Sequence, residues 1–181
     1  LKTSPDMAAF RDGISARIAS LARSHALLTN DQWRGILLRE VISSELAAYD
    51  DGSRISLSGP SVYLPSELAV SFAMAIHELT TNAAKHGPLS TRDGAVTIDW
   101  SIDREDEVDM LEIVWQESGG PPILDEPTRK GFGTTLLQRL LTMQIGGTVV
   151  STLPRDGARV VIRAPMMDVS PSPMGDARAG L

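Results

Sequence analysis

Ile76-His77-Glu78-Leu79-Thr80-Thr81-Asn82-Ala83-Ala84-Lys85-His86-Gly87-Pro88-Leu89-Ser90 closes a helical pattern that begins near Ser66. Leu68, Phe72, Ile76, Leu79 and Ala83 recur every three or four positions, as one buried stripe of a helix requires. Glu78, Asn82 and Lys85 or His86 have the same spacing and share a second stripe. That stripe carries a carboxylate, an amide and one or two cations within two turns. Carboxylate and amide oxygens are hard ligands suited to Mg²⁺, and a cation beside them suits a phosphate. Gly87-Pro88 ends the helix, with Gly able to adopt a left-handed cap and Pro unable to continue it.

Such a face on its own is commonly just solvated. Two further motifs change its meaning. Trp115-Gln116-Glu117-Ser118-Gly119-Gly120-Pro121 follows a strand-like run, and Gly131-Phe132-Gly133 opens a new apolar helix at Thr134-Thr135. In order and spacing the three motifs resemble the N, G1 and G2 boxes of the GHKL ATP-binding fold. His77 in His-Glu-Leu, with Trp115 and Glu117 in Trp-x-Glu, resembles more narrowly the HWE sensor histidine kinases. The resemblance covers roughly Gly13 to Pro165.

Length fits one domain, or one domain plus a short appendage. The chain has 181 residues and a formal net charge of −6, enough for a real core and an unfavourable balance for nucleic acid. Aromatic side chains are scarce, so base stacking is not its main business. It has no cysteine and three histidines, which excludes a disulfide framework or thiolate zinc site and disfavours a His-rich one. No apolar run approaches the ~20 residues of a membrane span. The start has no signal-peptide pattern and no initiator Met, which points to a piece of a longer polypeptide.

Along the chain, Phe10 to Leu28 and Thr29 to Ala48 read as two helices, the second opened by capping-box spacing between Thr29 and Gln32. Ile55 and Leu57 alternate with polar residues as a strand, and residues 61–64 form a short second one. Val96, Ile98, Trp100 and Ile102, then Leu111, Ile113 and Trp115, give the two strands of a hairpin. Residues 118–130 read as a loop, 133–145 as a helix, and 148–153 with 158–164 as a hairpin around Asp156-Gly157. The Pro/Ser/Gly/Ala-rich tail is expected to be disordered.

The expected fold is a two-layer α/β (α+β) sandwich of GHKL or Bergerat type: a mixed, mostly antiparallel sheet with helices on one face, preceded by a helical pair. Its expected divisions are a helical segment over 1–50, a nucleotide domain over 51–165 and a tail over 166–181. The lack of repeated βαβ units, and of a third glycine after Gly131 and Gly133, argues against a Rossmann domain.

The resemblance implies roles residue by residue. Asn82 would hold Mg²⁺, and Glu78 would hold it through water or assist the reacting group. Lys85 and His86 could touch phosphate, Lys85 being the permanent cation. His77 is a further catalytic candidate, although about 100° from Glu78 it suits packing or orienting a neighbour better than ligation. Glu117, where the G1 box usually has Asp, would accept the adenine amino hydrogens, and Gly119 would let the backbone approach the base. Trp115 is either a core residue or a flank of the site. Gly131, Gly133 and Thr134 would set N–H groups and a helix N-terminus against the phosphates. Arg129 and Lys130, at the loop's end, bind phosphate or solvate the loop.

The sequence departs from the family at Gly157-Ala158, where many GHKL domains have Gly-Thr, and in lacking an F box. His25 lies outside any His-Arg-x-x-Asn box and suits a packing or cap role better than phosphoacceptor. The implied activity is transfer of the ATP γ-phosphoryl group to a histidine, and from there to the receiver domain of a response regulator. A homodimer through the N-terminal helices, a bacterial cytoplasmic location and no membrane contact by this piece complete what it implies. A degenerate GHKL scaffold and a GHKL ATPase or serine kinase are the alternatives.

Overall fold

A computed structural model describes residues 35–105, 107–123, 142 and 146–166. The first expected helix with His25, the Thr29–Gln32 cap, Arg129, Lys130, Gly131, Gly133, Thr134, most of the 133–145 helix and the tail beyond 166 lie outside the described residues.

Two short strands, β1 (Ile36–Leu37) and β3 (Tyr63–Leu64), pair antiparallel beside helix α1 (Leu38–Leu46). The main sheet contains β2 (Ile55–Ser58), β4 (Ala95–Glu105), β5 (Val108–Ser118), β6 (Thr148–Thr152) and β7 (Arg159–Met166), in the order β2-β4-β5-β7-β6. The β2–β4 pair is parallel and the other pairs antiparallel. Helix α2 (Ser66–Lys85) and α1 supply the second layer, as the mixed sheet with helices on one face requires.

Alternation decides which sheet face meets the helices. Ile98, Trp115 and Val160 lie in one cross-strand row, and Trp100, Ile113 and Ile162 in the next. All six are buried, together with Phe72, Ala73, Ile76 and Ala83 of α2. Leu38, Val41, Ile42 and Leu46 of α1 join the same core, each contributing up to about 1.5–3 kcal/mol by leaving water. Ile102 does not follow the expected inward pattern. It is exposed, although its cross-strand neighbours Leu111 and Ala164 on β5 and β7 are buried.

The helix expected from Thr29 to Ala48 is shorter. Gly35 has φ +80°, and a Cβ there would lie 2.6 Å from the Leu64 carbonyl oxygen. The backbone therefore turns at Gly35, and Ile36 and Leu37 pair with β3. Leu38 N–H then donates to Val62 O at 2.9 Å as α1 begins. At the other side, Gly59 (φ +155°) passes under Trp100, whose Nε1 donates to Pro60 O at 2.8 Å.

Candidate nucleotide site

Helix α2 separates its faces as its sequence requires. Leu68, Phe72, Ile76, Leu79 and Ala83 are buried. Glu78 is half-buried, and Asn82, Lys85 and His86 are exposed along the C-terminal end. Glu78 and Asn82 are one turn apart, so their oxygens project from the same side. Among the described residues no three His, Cys, Asp or Glu side chains gather as a metal cluster. One amide and one carboxylate fit Mg²⁺ of the kind that takes its remaining ligands from phosphates and water.

The helix end meets the end of β5. Gly87 follows the last helical turn, and its N–H donates to Asn82 O at 3.2 Å and Ala83 O at 3.1 Å. Its φ of −109° is not left-handed, so the glycine is not needed for handedness. It is needed for space: a Cβ at Gly87 would lie 2.8 Å from Glu117 Oε2 and 2.9 Å from Ala83 Cα. Similar approaches occur around it. A Cβ at Gly120 would lie 2.8 Å from Pro88 N, and one at Gly94 2.1 Å from Pro88 O. Thr91 Oγ1 donates towards Pro88 O at 2.9 Å and Gly119 O at 3.1 Å, joining the two loops. Gly119 itself has φ +67°, a conformation that favours glycine.

Glu117 is the last inward-facing residue of β5. Leu111, Ile113 and Trp115 precede it at alternate positions, so the pleat that buries them also buries its carboxylate. Trp115 Nε1 donates to Glu117 Oε1 at 3.1 Å. Glu117 N–H donates to Ala158 O at 2.8 Å. Burial pushes the carboxyl above the ordinary glutamate range, while hydrogen bonds donated to the carboxyl by the Trp115 indole and the Ala158 backbone pull it back. Gly157 (φ +144°) lies so close that a Cβ would be 2.2 Å from Glu117 O. Ala158 thus meets Glu117 through its backbone, and its methyl side chain offers no hydroxyl.

The structure brings Glu117 and Gly119 together with Gly87 at the end of the helix that carries Glu78, Asn82, Lys85 and His86. It pairs His77 elsewhere. His77 Nδ1 lies 2.9 Å from Glu45 Oε2 of α1, whose side chain is 1 % exposed. Sequence reasoning missed Glu45, although the signal was present: Leu38, Val41, Ile42, Glu45 and Leu46 share one helical stripe. It also missed the close approaches at Gly87, Gly94, Gly120 and Gly157, which depend on contacts distant in the chain.

The fold is that of a histidine kinase catalytic domain. The histidine kinase domain of the Erythrobacter litoralis blue-light-activated histidine kinase superposes with a TM-score of 0.63 at 18 % identity, covering 88 % of this chain and 82 % of that one. The catalytic domain of the histidine kinase ThkA gives a TM-score of 0.53 at 14 % identity, covering 72 % and 94 %. The model of the HWE histidine kinase family matches residues 1–61. The blue-light-activated histidine kinase of Brucella anthropi is 31 % identical over 174 residues, 94 % of this chain and 35 % of that protein. Its counterpart in Brucella ovis is 29 % identical over 154 residues, 84 % and 31 % respectively. The chain matches the HWE histidine kinase model over its first third and is similar to these kinases, and it spans about a third of the length of these curated relatives.

Proposed function

We propose that this chain is the ATP-binding catalytic region of a sensor histidine kinase. It binds Mg·ATP and passes the γ-phosphoryl group to a histidine imidazole, with ADP as leaving group. An aspartate on a response regulator's receiver domain then takes the phosphoryl group. Bound Mg²⁺ supplies charge neutralisation along the phosphates. Asn82 offers it an amide oxygen, and Glu78 a carboxylate through water. Glu78 also stands one turn away to take the proton that the attacking imidazole loses. Lys85 or His86 meets the phosphates, and Glu117 accepts from the adenine amino group while Gly119 lets the backbone lie against the ring. Gly131, Gly133 and Thr134 are assigned to the phosphates by their place in the sequence. Residues 51–165 form the nucleotide domain, and residues 1–50 carry the approach to the acceptor helices and a homodimer contact.

The observation that carries this reading is the buried Glu117 carboxylate, set beside Gly87 at the end of the helix bearing Asn82. The test is incubation of the full-length parent and of this chain with γ-labelled ATP, followed by mapping of the label. Acid-labile phosphate on a histidine is the expected product. Acid-stable phosphate on serine, or label released only as inorganic phosphate, would replace this reading with a serine kinase or an ATPase.

A further inference from the structure

We propose that Trp115 is the positioning residue of the base-reading carboxylate. Its indole N–H holds Oε1 of Glu117 and so directs Oε2, which lies beside Gly87, as the acceptor for the exocyclic amino group of a purine. This rests on the nucleotide-binding reading above.

Trp115 and Glu117 are two apart on β5, so both side chains stand on the core face. Trp115 is completely buried, in register with Ile98 on one side and Val160 on the other. A ring so enclosed cannot swing. Its Nε1 is the indole's only polar atom and a donor only, and it donates to Oε1 of Glu117 at 3.1 Å. Trp100 differs, because its Nε1 is spent on the Pro60 carbonyl.

The rest of Glu117 is also held. Its N–H donates to Ala158 O at 2.8 Å, and its carbonyl accepts from Gln116 Nε2 at 3.0 Å. A Cβ at Gly157 would lie 3.2 Å from its Cβ, so the hairpin turn closes over the stem. Oε2 faces the space that Gly87 leaves by having no side chain. The indole thus fixes Oε1, the Ala158 backbone also bonds to the carboxyl, and Oε2 stands on the Gly87 side.

The indole also protects the charge state. A protonated carboxyl would present a hydrogen where a purine amine presents its own, and the contact would be lost. A donor on Oε1 favours the ionised form and opposes the effect of burial. The Trp-x-Glu spacing therefore serves as one unit: a strand-borne donor, a spacer facing away, and the acceptor it orients.

Titration of the full chain with ADP and GDP by calorimetry tests this in wild type, Trp115→Phe, Glu117→Gln and the double variant. Trp115→Phe is expected to weaken ADP about tenfold, equal to about 1.4 kcal/mol, and to narrow the preference for ADP over GDP by a similar factor. The double variant is expected to bind no more weakly than Glu117→Gln alone. An ADP affinity of Trp115→Phe within about twofold of wild type, or losses that multiply in the double variant, overturns the inference. Should Trp115→Phe fail to fold, ¹⁵N-tryptophan spectra of Glu117→Gln decide. The Trp115 indole resonance is expected to move and that of Trp100 to stay, and an unmoved Trp115 resonance overturns the inference. Wild-type protein that binds no ADP removes the nucleotide reading and this inference together. Wild type that binds, with Trp115→Phe binding equally well, removes this inference alone.

Discussion

Replacing His77 by alanine tests whether α1 and α2 are joined by a specific polar contact or only by packing. Glu45 Oε2 and His77 Nδ1 are 2.9 Å apart, with side chains 1 % and 18 % exposed. His77→Ala deprives a buried carboxylate of this partner. A hydrogen bond to a charged group is worth about 1.5–3 kcal/mol, and the lost ring packing adds a smaller amount. The expected loss is about 2–3 kcal/mol, which at about 2–4 °C per kcal/mol for a chain of this size lowers Tm by roughly 4–12 °C. His77→Asn sets an amide nitrogen near the position of Nδ1 and should recover much of it. Urea and thermal unfolding of His77→Ala, His77→Asn, Glu45→Ala and the Glu45→Ala/His77→Ala pair complete the cycle, with an expected coupling above about 1 kcal/mol. A His77→Ala variant within about 0.5 kcal/mol of wild type, or equal losses in the alanine and asparagine variants, would refute the reasoning.

Gly87→Ala has an allowed φ, so its effect is steric. Its Cβ would crowd Glu117 Oε2 and the Ala83 backbone, with an expected cost of about 1–3 kcal/mol in stability and weaker ADP binding by calorimetry. Asn82→Ala should reduce the gain in ATP affinity that Mg²⁺ confers by about tenfold, the loss of roughly 1.4 kcal/mol, while leaving metal-free binding unchanged; an unchanged Mg²⁺ dependence would count against its assignment. Glu117→Gln should alter two pH slopes. Because the folded state raises this carboxyl above its ordinary 4.5, the group's contribution to stability is fully present below 4.5 and is lost as pH rises through the raised value. Unfolding measured across that window should show the glutamine variant gaining on wild type as pH rises. ADP binding, which needs the ionised form, should weaken in wild type as pH falls through the same window and lose that dependence in the variant.

Much of this was legible in the sequence because the decisive elements are long and strictly periodic. The stripe Leu68–Phe72–Ile76–Leu79–Ala83 and the alternation of Val96–Ile98–Trp100 each bury one face, and no other register would do so. The motif residues Glu78, Asn82, Glu117 and Gly119 were equally visible, because their spacing is local. What was hidden depends on distant contacts. The two-residue β1–β3 ribbon is too short for a period, and only the Leu64 carbonyl shows why residue 35 must be glycine. Gly87 looked like a helix cap, but its value lies in the space beside a carboxylate thirty residues on. Glu45 shares the buried stripe of α1, but its pairing with His77 is set by the packing of two helices and by no local spacing.

The most direct measurement is a titration of ¹⁵N-labelled protein with Mg·ATP, followed through backbone amide shifts. The site described here requires shifts concentrated at Asn82 to Gly87, at Glu117 to Gly120 and around Gly157. No shifts at saturating nucleotide, or shifts confined to the opposite sheet face near Val114, Val150 and Val161, would contradict it.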